Sequence, residues 1–394
     1  MAVAANQDKI EITAQCLCKA HSFTATVCCS SLPLKASACH CNSCRHVTGA
    51  MYSVDVPWPG DHDAVRNSTL RKYGFSERLK VLFCDVCSST MFWEQPKDEK
   101  EVQYGVFTGV LLNDGPENLI KLTGHIFVAD TLDGGATPWL QKPNGDGTVL
   151  KRWAGRTEES EELSPDWPGK KLPDAGWRRA IPEVPIRCHC KGVDLVFRQA
   201  EALEENTSKE PTEVSQYIDP ISRKPVAGLD ACNSCRTSFG VDFFNWTFVS
   251  LRHVGFPAQG SKLQGSPSFP TTLEDLHAAV IAEEHQRDPR LGTLSVYKSS
   301  DGVKRYFCSR CSACVFYAAD RRHDVVNIAV GLFHSPGGAR AEETFFWLLG
   351  GPVQHRDDLK GGWRDAWLKA VEAESEAWRV ERTFPEWWRL RNRG

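Results

Sequence analysis

The cysteines fall into a pattern that is written twice. The first half of the chain carries Cys16-x-Cys18, then Cys39-x-Cys41-x-x-Cys44, then Cys84-x-x-Cys87. The second carries Cys188-x-Cys190, then Cys232-x-x-Cys235, then Cys308-x-x-Cys311. The pentapeptide CNSCR stands at 41–45 and again at 232–236, and Phe-Cys opens the last pair at Phe83-Cys84 and at Phe307-Cys308. Three landmarks recurring in one order mark a duplicated unit, a signal to be read before any local propensity. A length of 394 residues also exceeds what one core usually serves.

The offset between copies grows from 172 residues (Cys16 to Cys188) to 191 (Cys41 to Cys232) and 224 (Cys84 to Cys308), so the second copy carries two insertions. The polar, Pro-containing stretch 201–224 reads as a surface loop. In the other, 272–286 opens with Thr and Glu and has apolar residues at helical spacing, which predicts a helix. Residues 155–180 are charged and rich in Pro and Gly and read as a linker. The division expected is a first zinc domain over 8–154, the linker, a second, degenerate copy over 181–355, and a helical tail over 356–394. In the tail Trp363, Trp367, Val371 and Trp378 recur at near-helical intervals, giving an amphipathic helix whose Trp face covers a domain surface or binds a partner.

Within each copy the periodicity is two. Residues 79–84, 104–111, 192–197 and 325–330 are β-branched and aromatic rich and are separated by turn formers, so each copy is expected to be mainly β. A formal charge of -3 offers no electrostatic footprint for nucleic acid or an anionic membrane. No apolar run approaches the roughly 20 residues that span a bilayer, and no signal peptide is read, so the expected location is cytoplasmic. Clustered thiols in that reducing setting are metal ligands rather than disulfides.

A structural zinc takes four soft ligands in a tetrahedron. Neither pair suffices alone, so the early and late pairs are expected to share one ion: Cys16, Cys18, Cys84 and Cys87 in the first copy, and Cys188, Cys190, Cys308 and Cys311 in the second. Iron–sulfur ligation is the competing reading, but the spacings match no common cluster signature. The trio Cys39, Cys41 and Cys44 is different. Three protein ligands and an open position are what a catalytic zinc needs, and a thiol substrate can fill that position as thiolate. A second structural zinc with a fourth ligand from elsewhere, or plain reduced thiols, remain alternatives. In the second copy Asp230 replaces the first member of the trio beside Cys232 and Cys235. A carboxylate can ligate zinc, but this degenerate site is expected to be empty or altered.

The runs CLCKAHSFTATV, CHCNSCRHVTGAMYSVDV and LRKYGFSERLKVLFCDVCSSTMFW resemble the glutathione-dependent formaldehyde-activating enzyme family, which includes centromere protein V. The likeness covers roughly 8–140 and, more loosely, 184–335. It implies two tandem β-tent zinc domains, with Cys16, Cys18, Cys84 and Cys87 structural and Cys39, Cys41 and Cys44 holding the reactive ion. It also implies a carbon–sulfur lyase that joins glutathione reversibly to formaldehyde. Departures lie in the metal-binding turns, where Lys19-Ala20, Ser88 and Ser312 stand at positions the family usually gives to Gly; they remove no ligand. A bulkier glutathione conjugate in a biosynthetic pathway would use the same chemistry. Arg45 is a candidate for a substrate carboxylate, or a brace for the metal turn. His40 is expected to point away from the ion, and Phe83, Phe92 and Trp93 to be core. The rival function is a zinc-stapled interaction scaffold, which needs two ions rather than the three (two structural, one reactive) of the enzyme.

Overall fold

The computed structural model describes residues 8–98, 101–169, 181–257, 268–384 and 386. The chain opens with a hairpin of β1 (Lys9–Gln15) and β2 (Ser22–Cys28), in which alternate residues Ile12, Ala14, Ala25 and Val27 turn inward. It continues through β3 (Leu34–Cys39), helix α1 (Asn42–Thr48), β4 (Ser53–Pro57), α2 (His62–Arg66), β5 (Arg71–Gly74), β6 (Lys80–Phe83), β7 (Thr90–Pro96), β8 (Val102–Phe107), β9 (Ile120–Ile126), β10 (Lys151–Trp153) and β11 (Glu162–Leu163). The second half runs β12 (Val184–Arg187), β13 (Asp194–Phe197), α3 (Gln199–Thr207), β14 (Val226–Asp230), α4 (Asn233–Phe239), β15 (Phe244–Ser250), β16 (Val254–Gly255), α5 (Leu273–Ile281), β17 (Leu294–Ser300), β18 (Val303–Cys308), β19 (Cys314–Ala319), β20 (Val325–Ala329), β21 (Phe346–Leu348) and α6 (Asp365–Glu381). The architecture is mainly β, as the period-two pattern predicts.

The two large sheets share one strand order. The first reads β5-β6-β7-β8-β4-β3-β9-β10-β11 and the second β17-β18-β19-β20-β15-β14-β21. Over the seven strands they share, a parallel pair closes an otherwise antiparallel run, β3 with β9 and β14 with β21; in the first sheet β9 also pairs parallel with β10. In each, the register slips just ahead of the last cysteine pair, at Leu82/Phe83 and at Tyr306/Phe307. The extra residue, Met91 in β7 and Val315 in β19, makes a bulge that bends the strand leaving each Cys-x-x-Cys turn.

The halves interlock by backbone contact. Gly331 N–H donates to Gly49 O at 2.9 Å and Gly109 N–H to Gly240 O at 3.1 Å. A Cβ on Gly109 would lie 2.0 Å from Val241 N, and one on Gly331 2.0 Å from Ala50 O. Only glycine permits so close an approach of two main chains. A buried ion pair joins the same region: Arg364 Nε donates to Asp242 Oδ1 at 2.6 Å, and Thr108 Oγ1 donates to the other carboxylate oxygen at 2.6 Å.

Three expectations need correction or refinement. The stretch 201–224 is not simply a loop: Gln199–Thr207 is a helix that buries Ala202 and Asn206. Ala and Glu favour that state, and packing of one face overrides the polar composition. The helix predicted over 272–286 ends at Ile281, its Thr272 cap accepting from Asp275 N. Within the expected linker, Glu162–Leu163 pairs with β10 as an edge strand, and 170–180 lie outside the described residues. The tail helix forms as expected, with Trp367, Val371 and Trp378 buried along α6 and Trp363 buried just before it. Trp378 stands edge-on to Trp139 of the first half, ring centroids 5.9 Å apart. No helix among the described residues is long and apolar enough to cross a membrane.

Candidate metal centre

The late cysteine pair of each half meets the early one in space. In the groups Cys16, Cys18, Cys84, Cys87 and Cys188, Cys190, Cys308, Cys311, the sulfurs all lie within 4.8 Å of one another. Individual separations are 3.5 Å for Cys16–Cys18, 3.6 Å for Cys18–Cys84, 3.6 Å for Cys188–Cys190 and 3.4 Å for Cys190–Cys308. A tetrahedron with Zn–S bonds of 2.3 Å has edges of about 3.8 Å, so both groups suit a zinc ion. Backbone amides point at the sulfurs: Val193 N to Cys188 at 3.3 Å, His21 N to Cys16 at 3.3 Å and Cys311 N to Cys308 at 3.4 Å. The turns that aim them require a left-handed residue after the second cysteine of each pair. Lys19, Ser88, Lys191 and Ser312 all take it, with φ between 56° and 68°. The departures from glycine noted above thus keep the glycine-like conformation, at a cost of roughly 1–2 kcal/mol each.

Cys39, Cys41 and Cys44 also converge within 4.8 Å. Cys39 ends β3, Cys41 caps α1, and Cys44 N–H donates to Cys41 Sγ at 3.2 Å. The Cys41 thiol is pushed down to about 3, chiefly because Cys39 and then Cys44 donate hydrogen bonds to its sulfur. His40 turns away from the sulfurs: Nε2 lies 3.0 Å from His125 Nδ1, and His125 Nε2 lies 2.9 Å from Leu140 O. Burial drives both imidazoles well below their ordinary range, so they stay neutral. Arg45 is buried and bonded to Asn42 Oδ1, while its Nε and Nη1 are shielded with no acceptor among the described residues. Phe83 and Phe92 are fully buried, and Trp93 is half-buried with Nε1 on Asp55 at 2.7 Å.

The counterpart in the second half is built differently. Asp230 does not join Cys232 and Cys235: its Oδ1 accepts from Cys232 N and from His355 Nδ1, both at 2.9 Å. Arg305 instead places Nη1 3.1 Å from Cys235 Sγ, three residues before Cys308, where the first half has the buried Val81 three before Cys84. A guanidinium thus lies against Cys235, and Asp230, Cys232 and Cys235 do not converge as the trio does.

Two features beside the trio escape a linear reading. His189, between two cysteines of the second half, donates its N–H to His46 O at 2.9 Å, shares a 2.7 Å bond with Tyr73 OH and stacks on Phe75. His46 in turn stacks on His334, centroids 4.1 Å apart. Both contacts join distant segments, and only the odd histidine inside Cys188-His-Cys190 hints at them. No curated protein and no solved structure matches the chain. Its likeness is to the family described as "Glutathione-dependent formaldehyde-activating enzyme", whose model matches residues 11–130 and so takes in the first four-cysteine corner and the whole of the Cys39, Cys41 and Cys44 trio.

Proposed function

We propose that this protein is a zinc-dependent carbon–sulfur lyase acting on glutathione or a glutathione adduct, built from two copies of one domain of which the first carries the chemistry. One observation carries the reading. Inside the matched segment, three thiols converge on one point beside a buried arginine that has two N–H groups to spare.

Cys39, Cys41 and Cys44 would hold the ion, which supplies the charge that keeps an incoming thiol as thiolate. Arg45 is the group to receive a substrate carboxylate, through its Nε–H or an Nη1–H. His40 and His125, neutral and hydrogen-bonded to each other, brace the strand end that carries Cys39 and move no proton. In the adding direction the glutathione sulfur bonds to a carbonyl carbon, the C=O π pair passes to oxygen, and the thiol proton ends on that oxygen. Elimination reverses each of these changes. The two four-cysteine groups would hold structural ions.

Zinc analysis and glutathione titration of wild type and Cys41→Ser test the proposal. Three ions per chain are expected, with loss of one ion and of glutathione binding in the variant while circular dichroism is retained. Two ions in the wild type, or full glutathione binding by the folded variant, would overturn it.

A further inference from the structure

The second half contains a cleft of about 820 Å³. The inserted stretch walls it with Tyr217, and the segment before α6 with His355 and Arg356. Cys232 and Cys235 line it at the same place in the fold where the first half has its trio, and Cys232 is half-exposed. The two thiols sit one turn apart at the start of α4, in a Cys-x-x-Cys arrangement of the kind that cycles between dithiol and disulfide.

The charges around them are unbalanced toward cations. Arg305, Arg321, Arg322 and Arg356 face the cleft, against Asp230 and Asp357. Both aspartates are already engaged, Asp230 with His355 and Asp357 with Lys360. Arg322 lies over Tyr217 and Tyr317 and has Nε and Nη2 shielded with no acceptor among the described residues; Arg356 Nε also lacks one, while its Nη2 pairs with Glu372 Oε2 at 2.9 Å. Arg305 is held by Ser299 Oγ at 3.2 Å and by the face of Tyr317, so its contact with Cys235 Sγ is fixed from two sides. Buried guanidinium N–H groups that lack acceptors await an anionic ligand.

We propose that this cleft is a metal-free thiol–disulfide exchange site for small disulfides that carry carboxylates. Cys232 attacks one sulfur of the ligand R–S–S–R, forming a Cys232–S–S–R bond as the first R–S⁻ departs. Cys235, its sulfur beside the Arg305 guanidinium, then attacks Cys232 Sγ and releases the second R–S⁻. The protein dithiol gives up two electrons and two protons, and the ligand leaves as two thiols; the reverse sequence forms the disulfide ligand. Arg322 receives a ligand carboxylate through Nε and Nη2. The site shares no residue with the trio, so it stands or falls apart from the lyase reading.

The test uses the full-length, zinc-loaded protein in a Cys28→Ser, Cys29→Ser background, which removes the two exposed thiols. Glutathione disulfide and the uncharged bis(2-hydroxyethyl) disulfide are compared at equal concentration, with peptide mapping by mass spectrometry. The expected product is a Cys232–Cys235 disulfide with release of two thiols per chain. Glutathione disulfide should react about tenfold faster than the uncharged reagent, a preference lost in Arg322→Met. Cys235→Ser should stop at the mixed disulfide on Cys232, a readout that requires the folded cleft. No bond between Cys232 and Cys235, or equal rates for the two reagents, would overturn the proposal. So would a further zinc ion that is lost on Cys232→Ser.

Discussion

Replacing Arg364 by methionine removes the cation from a salt bridge in which both side chains are wholly buried. In the native state Nε donates to Asp242 at 2.6 Å, Nη1 to Asn113 Oδ1 at 3.3 Å, and Nη2 to the carbonyls of Thr108 and Leu111. Methionine fills much of the volume but donates nothing. Leu111 O keeps a donor in Arg236 Nη1 at 2.8 Å, so its loss is small. Asp242 keeps only the Thr108 hydroxyl for a carboxylate with no exposed surface. Breaking such a pair from one side costs about 3–5 kcal/mol, because the partner charge stays buried. Replacing both ends with apolar groups should recover most of that, so Arg364→Met with Asp242→Leu should be more stable than Arg364→Met alone. Lys151→Met serves as the control: its pair with Glu162 is exposed, and the loss should stay under about 1 kcal/mol. Urea unfolding of the zinc-saturated chain, followed by far-UV circular dichroism, reads all three. A loss below about 1 kcal/mol for Arg364→Met, or a double variant weaker than the single, would refute the claim that this pair pins the two halves and α6 together.

Gly331→Ala should open the contact between halves, since its Cβ would fall 2.0 Å from a backbone oxygen that has no rotamer to escape into; Gly74→Ala, with nothing within 4 Å, should be near neutral in the same melt. His355 is raised to about 9, first by its hydrogen bond to Asp230. Protonation is thus tighter in the folded state, and the stabilisation is complete below the unfolded value near 6.5 and fades as pH climbs toward 9. His355→Gln should flatten stability across that window, and an imidazole NMR titration of the wild type should show the raised midpoint. Cys308→Ala should unfold the second half in hydrogen exchange while leaving amides of β3 and β9 more protected, since a four-thiolate ion accounts for about 10 kcal/mol or more of folding; uniform loss across both sheets would refute that separation.

The cysteine groups were legible because ligand chemistry needs four sulfurs and each pair offers two, so counting alone joins Cys16 and Cys18 to Cys84 and Cys87. The strands were legible because 79–84 and 325–330 alternate or carry β-branched residues. The left-handed turns were not: glycine is the residue that signals φ > 0, and Lys19, Ser88, Lys191 and Ser312 adopt it under the pull of the sulfur corner instead. Helix α3 was hidden by polar residues on its solvent side. Arg305 was hidden by distance, since 70 residues separate it from the cysteine it contacts and no local pattern marks it.

The interlock bears on why a divergent second site would be kept. Gly49 and Ala50, at the end of the helix that carries Cys44, are packed against Gly331, and His46 one turn earlier holds His189 and stacks on His334. The second half therefore walls the helix of the trio whatever chemistry Cys232 and Cys235 perform. Its sheet is constrained by what it supports, whereas its own cleft is free to change. The inserted stretch, through Tyr217, and Arg305 both line that cleft. A substitution such as Arg305→Met should then slow closure of the Cys232–Cys235 disulfide and leave glutathione binding at the first site unchanged, because Arg305 is held by Ser299, Cys235 and Tyr317, all in the second half.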